Sequence, residues 1–247
     1  LKPCDTYSFQ QLCKEHRVQR AVVYAVAVQC EGMCDMEQLQ AQAKAPLAVR
    51  EEGETLVVET LYGEKRLPRQ TVLAERCRSC KTKKMACYDE LLGEDGTDCG
   101  DGRMEGVRRL EAMTPDERFR FWQGELSRCI RCNACRNVCP ACSCEKCVFD
   151  NPASGVENKA AANSFEENLF HIIRAFHVAG RCTDCGECSR VCPQHIPLHL
   201  LNRKLIADMN ELYGPYQAGA DLESRPPLMD FRFDDPEPST ARRGGAQ

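Results

Sequence analysis

One cysteine pattern occurs twice in this chain and limits what the chain can fold into more than any other feature. The pattern is Cys-x-x-Cys-x-x-Cys-x-x-x-Cys-Pro, and it spans residues 129–140 and again residues 182–193. This is a spacing that holds 4Fe-4S clusters, because three thiolates two residues apart can surround one face of a cubane. The repeat therefore predicts two 4Fe-4S clusters, and paired clusters of this kind relay single electrons.

The last cysteine of each run is predicted to serve the other cluster, because the Cys-Pro turn carries its thiolate away from the preceding triplet. The predicted ligands of the first cluster are Cys129, Cys132, Cys135 and Cys192. The predicted ligands of the second cluster are Cys182, Cys185, Cys188 and Cys139.

The number and spacing of the cysteines also indicate the redox environment. The chain has 19 cysteines, an odd number with many short spacings, which does not suit a disulfide framework. Thiolate ligands must stay reduced, so we expect a cytoplasmic protein of an anaerobic cell. Zinc ribbons share the Cys-x-x-Cys pair but not the third cysteine and the Cys-Pro ending, so a structural zinc module is the weaker interpretation.

Charge and hydropathy argue against two further classes. The chain has 33 basic and 37 acidic residues and a net charge of -4, so no basic excess indicates a nucleic-acid partner. The longest apolar run, residues 21–28, is far shorter than the ~20 residues of a membrane-spanning helix, so no membrane span is expected. The start is polar and charged, unlike a signal peptide, and residue 1 is leucine, which is typical of a chain that begins inside a longer protein.

The order of elements predicts an α+β protein with three parts. Residues 1–103 are predicted to form a small α/β unit with a cysteine-rich loop. Residues 104–216 are predicted to form a mainly α-helical, two-cluster ferredoxin domain. Residues 217–247 are rich in proline, glycine and acidic residues, which predicts an extended tail that is disordered or lies on a partner.

Hydrophobic periodicity places individual elements in the first part. Residues 21–28 and 54–60 are predicted strands, and residues 36–43 a short helix.

Three helices are predicted around the two cysteine runs. Thr114 begins the first with a capping box, and this helix carries Trp122 as a packing residue and ends near Arg128. Ser164 begins the second, and the third covers residues 198–213. The apolar stripe predicted for the second helix is Leu169, Ile172, Ile173 and Phe176.

The eleven cysteines outside the two runs predict a third metal centre, because free cysteines at this density are unusual. One arrangement joins Cys30, Cys77 and Cys80 with Cys4. Another joins Cys142, Cys144 and Cys147 with one thiolate from the N-terminal part. Spacing leaves both arrangements open, because the ligands come from separate segments.

Four histidines lie near the cysteine runs, at positions 171, 177, 195 and 199. Histidine can ligate an iron-sulfur cluster. Every predicted cluster position already has a cysteine, so we interpret these histidines as packing or solvated residues.

Several segments together resemble a known family. They are KPCDTYSFQQL, VQCEGMCD, CRSCKTKKMACYDELLGE, CIRCNACRNVCPACSCEKC and RAFHVAGRCTDCGECSRVCPQHIPLHLLNRKL. In this order they resemble the iron-sulfur beta subunits of coenzyme-reducing hydrogenases and formate dehydrogenases, which handle deazaflavin in methanogens. The bacterial relatives often accompany heterodisulfide reductase-like subunits. The resemblance covers most of residues 1–235.

This resemblance implies an electron-transfer subunit within a larger cytosolic redox complex. It also implies a 4Fe-4S cluster in the N-terminal part, with Cys30, Cys77 and Cys80 as ligands and Cys4 as the best candidate for the fourth. The sequence has no Gly-x-Gly-x-x-Gly loop, so flavin is not expected on this chain.

Two functions then compete. The first is a non-catalytic conduit between a hydrogenase or formate dehydrogenase and a flavin or heterodisulfide reductase-type partner, which implies a hetero-oligomer. The second is a flavin-containing catalytic beta subunit that reduces a deazaflavin or a similar hydride acceptor. No catalytic residue set is recognised in the sequence, which favours the conduit.

Overall fold

The computed structural model of the protein describes residues 1–151 and 164–228, with the backbone alone at residues 164–168. It combines helices and small sheets, so the predicted α+β class is confirmed. The strands are β1 (Val26–Val28), β2 (Pro46–Glu52), β3 (Thr55–Thr60), β4 (Gly63–Pro68) and β5 (Glu90–Leu92).

The described helices are more numerous than the strands and dominate the C-terminal half. Those before the first cysteine run are α1 (Pro3–Lys14), α2 (Met36–Gln42), α3 (Arg69–Val72), α4 (Glu75–Arg78), α5 (Glu105–Glu111) and α6 (Pro115–Leu126). Those within or after it are α7 (Ala134–Asn137), α8 (Ser164–His177), α9 (Glu187–Arg190) and α10 (Leu198–Tyr213).

An antiparallel meander of β2, β3 and β4 forms one small layer. Only its central strand is well buried: Val57 and Val58 are fully buried, whereas β2 and β4 are exposed at most positions. Leu56, Val58 and Leu67 pack with Leu39 of α2 and Val72 of α3 into a separate small core. The predicted strand at residues 54–60 and helix at 36–43 therefore match β3 and α2 closely.

A second sheet pairs β1 with β5 in parallel. It is short, because residues 20–22 form a 3-10 turn and leave only Val26–Val28 of the predicted strand at 21–28. Asp89 fixes the approach to the sheet, since its carboxylate accepts the Ala25 N–H at 2.6 Å and the Arg20 guanidinium at 2.7 Å. The sheet also holds the segment before α1, since the Leu1 carbonyl accepts the Val28 N–H at 2.8 Å.

The helical half is built around one apolar core beneath the two cysteine runs. The buried members of that core are Leu126, Cys135, Phe149, Phe170, Cys188, Ile196 and Leu198. The capping box predicted at Thr114 is present, since its hydroxyl accepts the Glu117 N–H and the Glu117 carboxylate accepts the Thr114 N–H at 2.9 Å. Trp122 of α6 packs against this core, as the sequence predicts for a packing residue.

The apolar stripe predicted for α8 is wrong in part. Leu169 and Ile172 are partly exposed and Phe176 is 62% exposed, whereas His171 and Arg174 are 2% and 3% exposed. The buried face of α8 carries polar groups because it lies beside the cysteine runs. A hydrophobic pattern alone misplaces such a face.

The first part of the predicted tail lies against the chain itself. Gln10 donates its side-chain N–H to the Ala220 carbonyl at 2.9 Å, and Lys14 donates to Ser224 Oγ at 2.8 Å. Gly219 lies so close to α1 that a Cβ would stand 1.9 Å from the Tyr7 carbonyl oxygen, and its φ of +73° also favours glycine. The rest of the tail, residues 229–247, lies outside the described residues.

No helix in the described ranges is long and apolar enough to cross a membrane.

Candidate iron-sulfur sites

The two cysteine runs adopt the same backbone conformation. In the first run, Arg131 and Asn133 have φ of 53° and 62°; in the second, Asp184 and Gly186 at the equivalent positions have φ of 60° and 69°. These left-handed residues turn each loop tightly, and a four-residue helix follows in both, α7 and α9. The repeated sequence therefore gives two equivalent cysteine loops.

The two loops face each other and exchange their last cysteines. One cavity is lined by Cys129, Cys132, Cys135 and Cys192, with Phe170, Ile196 and Leu198 as apolar walls. A second cavity is lined by Cys182, Cys185, Cys188 and Cys139. The structure thus brings together the two sets of four that the sequence predicts.

A third cavity lies against the N-terminal part. It is lined by Cys4 of α1, Cys30 after β1, Cys77 of α4 and Cys80 after it. The Gly32 N–H donates to Cys30 Sγ at 3.4 Å, and the Met33 N–H donates to Cys77 Sγ at 3.3 Å. The structure therefore assembles the first of the two arrangements left open by the sequence.

The second and third cavities are neighbours. Asp184 and Cys185 line both of them. Arg76 connects their walls, since it donates to the Cys185 carbonyl at 3.2 Å and pairs with Glu187 at 2.8 Å. Cofactors in these two cavities would be separated by a few side chains only.

The donor set of these cavities fits a four-iron cluster. Within the described residues, no three Cys, His, Asp or Glu side chains lie close enough to hold a single metal ion. The cysteines stand around cavities instead, and a cubane requires such an arrangement because iron and sulfide occupy the space between the thiolates.

Burial raises the pKa of Cys4 and Cys185 to about 12 and of Cys188 to about 11. These thiols stay protonated without a metal at neutral pH, so metal binding must release their protons.

Buried charges hold the second cavity in place. Asp184 accepts Arg203 Nε at 2.8 Å and Arg103 Nη1 at 2.8 Å, and the Arg203 and Asp184 side chains are each 2% exposed. Arg203 also donates to Ser79 Oγ at 3.0 Å and to the Ser79 carbonyl at 2.8 Å, which ties α10 to the loop before Cys80. A charged residue inside a cysteine run thus fixes the run to two other segments.

Lys81 is a second buried cation near these cavities. Its ammonium donates to the Thr183 carbonyl at 2.8 Å and lies 3.4 Å from the centre of the Tyr7 ring. Burial lowers the pKa of Lys81 to about 7. Lys81 therefore links α1, the third cavity and the second cysteine run.

Two of the four histidines are buried and two are exposed. His171 lines the first cavity and His199 the second, whereas His177 and His195 are exposed. Burial lowers the pKa of His199 to about 4, so its ring is neutral at pH 7, and its Nδ1 shares a hydrogen bond with Ser189 Oγ at 2.8 Å. The interpretation of these histidines as packing or solvated residues remains a prediction.

Sequence reasoning did not find Arg174, which lies between the two loops. Its guanidinium lies close to the thiols of Cys142 and Cys188, and its charge also acts on Cys135 and Cys139. Its Nε and Nη1 atoms have no hydrogen-bond partner in the described part of the chain. The only sequence signal was a lone arginine in an otherwise apolar stretch of α8, which is usually a solvated residue.

Cys142, Cys144 and Cys147 line a separate cavity of about 550 Å³. No N-terminal cysteine of the described residues joins them there. The Cys142 N–H donates to the Cys139 carbonyl at 3.0 Å, and the adjacent Cys142 thiol lowers the pKa of Cys139. The second arrangement suggested by the sequence is therefore not assembled, although its three local cysteines do share one site.

Comparisons with known proteins bear on the segment that contains the two cysteine runs. A family model described as a 4Fe-4S dicluster domain matches residues 125–196, which include both cysteine runs. The chain therefore contains a 4Fe-4S dicluster domain and carries multiple 4Fe-4S clusters.

Two curated relatives share longer segments. The F420-dependent formate dehydrogenase subunit beta of Methanocaldococcus jannaschii is 22% identical over 93% of this chain and 75% of its own length. The F420-dependent formate dehydrogenase 1 subunit beta of Methanococcus maripaludis is 33% identical over 43% of this chain and 26% of its own length. The homology to formate dehydrogenase beta subunits and the dicluster domain together support an electron-transfer role within an oxidoreductase.

Proposed function

We propose that this chain is an electron-transfer subunit that relays single electrons within a cytoplasmic, multi-subunit oxidoreductase. The observation that carries the proposal is the row of three cysteine-lined cavities. Cys185 and Asp184 line both the third and the second cavity, and Arg174 lies between cysteines of the second and the first. Three neighbouring sites, two of which share lining residues, suit a relay better than a single catalytic centre.

The chain's own residues hold, orient and enclose the cofactors. Each cavity presents four cysteine thiols, and backbone and amide N–H groups donate to several of their sulfurs, as Asn202 does to Cys188 at 3.7 Å. An iron-sulfur cluster, when bound, takes up and gives out one electron at a time. Such hydrogen bonds and nearby cations set its reduction potential.

The names of the relatives support part of the proposal about partners. Both are beta subunits of formate dehydrogenases by name, so we propose a formate dehydrogenase or hydrogenase as donor. A flavin or heterodisulfide reductase-type subunit is the proposed acceptor. The alternative, a flavin-containing catalytic subunit, requires flavin on this chain.

Anaerobic purification of the native complex tests this function. We expect the chain to co-elute with other redox subunits, and the isolated chain to show broad absorption that dithionite bleaches, without resolved flavin bands. A monomer that oxidises formate, hydrogen or a nicotinamide by itself would contradict the relay. A colourless protein that contains zinc would overturn the iron-sulfur assignment altogether.

The third cavity gives a prediction of its own. Replacing Cys77 and Cys80 together by serine should remove about four irons per chain, because both are proposed ligands of one cluster. The measurement is iron per chain relative to the unmodified protein. A matched Cys34→Ser and Cys87→Ser variant, which changes two half-buried cysteines outside the proposed sites, should keep its iron. An unchanged iron content in the Cys77 and Cys80 variant would show that the third cavity holds no cluster.

A further inference from the structure

We propose that Cys142, Cys144 and Cys147 hold an additional iron-sulfur cluster, beside the second cavity and separate from the three sites above. The three cysteines follow the first run directly, with the spacing Cys-x-Cys-x-x-Cys, and all three line the cavity of about 550 Å³. Neither of the two cysteine runs nor the N-terminal site includes these three cysteines, so the inference does not depend on their ligand assignments.

Each of the three thiols has an arginine beside it. Arg136 and Arg174 line the same cavity as the three cysteines, where Arg136 lies beside Cys147 and Arg174 beside Cys142. The charge of Arg181 attracts Cys144 and also Cys142. Neutral thiols need no cations beside them, whereas thiolates on a cluster are stabilised by nearby cations, because negative charge in a partly buried site needs compensation.

The three arginines differ in how they are held. Arg136 pairs with Asp150 at 2.8 Å, and Arg181 pairs with Glu15 of α1, to which its Nε donates at 2.9 Å. These two are anchored toward the cavity by carboxylates on other segments.

Arg174 is different, because it is 3% exposed and forms no ion pair with a carboxylate within the described residues. Its Nε and Nη1 donors also lack partners there. An unpaired buried guanidinium is costly, which indicates that negative charge absent from the protein atoms occupies its surroundings. Thiolate-bound clusters on both sides of Arg174 supply that charge.

A cluster, rather than a single ion, is the occupant that fits. No three donor side chains in residues 1–151 and 169–228 are close enough for one ion, whereas the cavity between these thiols is roomy. No fourth cysteine of the described residues lines the cavity, so the proposed cluster has three protein thiolates and one iron that faces the cavity. The contact between Cys142 and Cys139 places this site next to the second cavity, where Cys139 is a proposed cluster ligand.

The test uses the full chain, purified anaerobically, and compares iron and acid-labile sulfide per chain. The triple variant Cys142→Ser, Cys144→Ser and Cys147→Ser should contain about four irons and four sulfides fewer than the unmodified protein. Signals of the dicluster domain in electron paramagnetic resonance should remain, which shows that the variant folds. The Cys34→Ser and Cys87→Ser variant is the matched control and should lose nothing.

A measurement on the unmodified protein keeps the proposal testable if the triple variant does not fold. The iron without a cysteine ligand should give its own component in the Mössbauer spectrum, one quarter of the signal of that cluster. Unchanged iron in a folded triple variant would overturn the proposal, as would a Mössbauer spectrum in which every iron has a cysteine environment. Zinc bound by these three cysteines would also overturn it.

Discussion

Replacing Cys132 and Cys192 together by alanine is expected to remove about four irons per chain, whereas replacing Cys188 and Cys192 together is expected to remove about eight. The reason is that Cys132 and Cys192 line one cavity, and Cys188 lines the other. The first double substitution therefore removes two proposed ligands of one cluster, and the second removes one proposed ligand from each cluster. The iron content per chain, measured after anaerobic purification, distinguishes the two results. It does not require that any spectral signal be assigned to a particular cluster.

This design separates crossed from uncrossed ligation directly. If each run supplied all four ligands of its own cluster, the two double variants would exchange their results. Cys87→Ala is the control, because Cys87 is not among the residues that line the four cavities described above, and its thiol donates to the Thr6 carbonyl at 3.6 Å. Its iron content should equal that of the unmodified protein.

Asp184→Asn is expected to destabilise the folded protein by about 3–5 kcal/mol, since it leaves the Arg203 charge buried without a counter-ion. Asparagine keeps the size of the side chain and tolerates the φ of 60° at this position, so the change tests charge rather than backbone strain. The apparent melting temperature of the cluster-loaded protein should fall by about 6–20 °C. Loss of visible absorbance on heating reports the transition.

Asp208→Asn provides the matched comparison. Asp208 pairs with Lys204 at the surface of α10, where both side chains are partly exposed. Pairs of this kind contribute about 0–1 kcal/mol, so the melting temperature should change by only a few degrees. Equal effects of the two substitutions would show that the buried pair has no special role.

The sequence predicted those parts of the fold that have a strong local signal. Thr114 and Glu117 mark the start of α6 by their own side chains, and Gly214 follows the last residue of α10. The cysteine runs also predicted which thiols share a cavity, because the Cys-Pro turn is a local feature with a long-range consequence.

Elements with weak hydrophobic patterns were not predicted. In α1, the buried residues include Thr6 and Gln11, so no apolar stripe marks the helix, although Pro3 and Asp5 sit at typical helix-start positions. β2 and β4 are exposed at most positions and show no alternation. Their pairing depends on the meander as a whole.

The charged residues of the sites were the least predictable. Arg174, Arg203 and Asp184 look like ordinary surface residues in the sequence, since charged side chains are rarely buried. They are buried because segments more than 100 residues apart meet around them, as Ser79 and Arg203 do. A single sequence contains no local signal for such a meeting.

The exchange of cysteines between the two loops has a consequence for the order in which this protein matures during synthesis. When the ribosome has made residues 129–139, the first loop has three of the cysteines that line its cavity, and the fourth, Cys192, is still to come. The second cavity includes Cys139, which is synthesised before the three cysteines of the second loop that line the cavity with it. Neither set of four cysteines is complete until both loops have been synthesised and have met. If the clusters bind as proposed, the insertion of either cluster would have to follow the synthesis of both motifs.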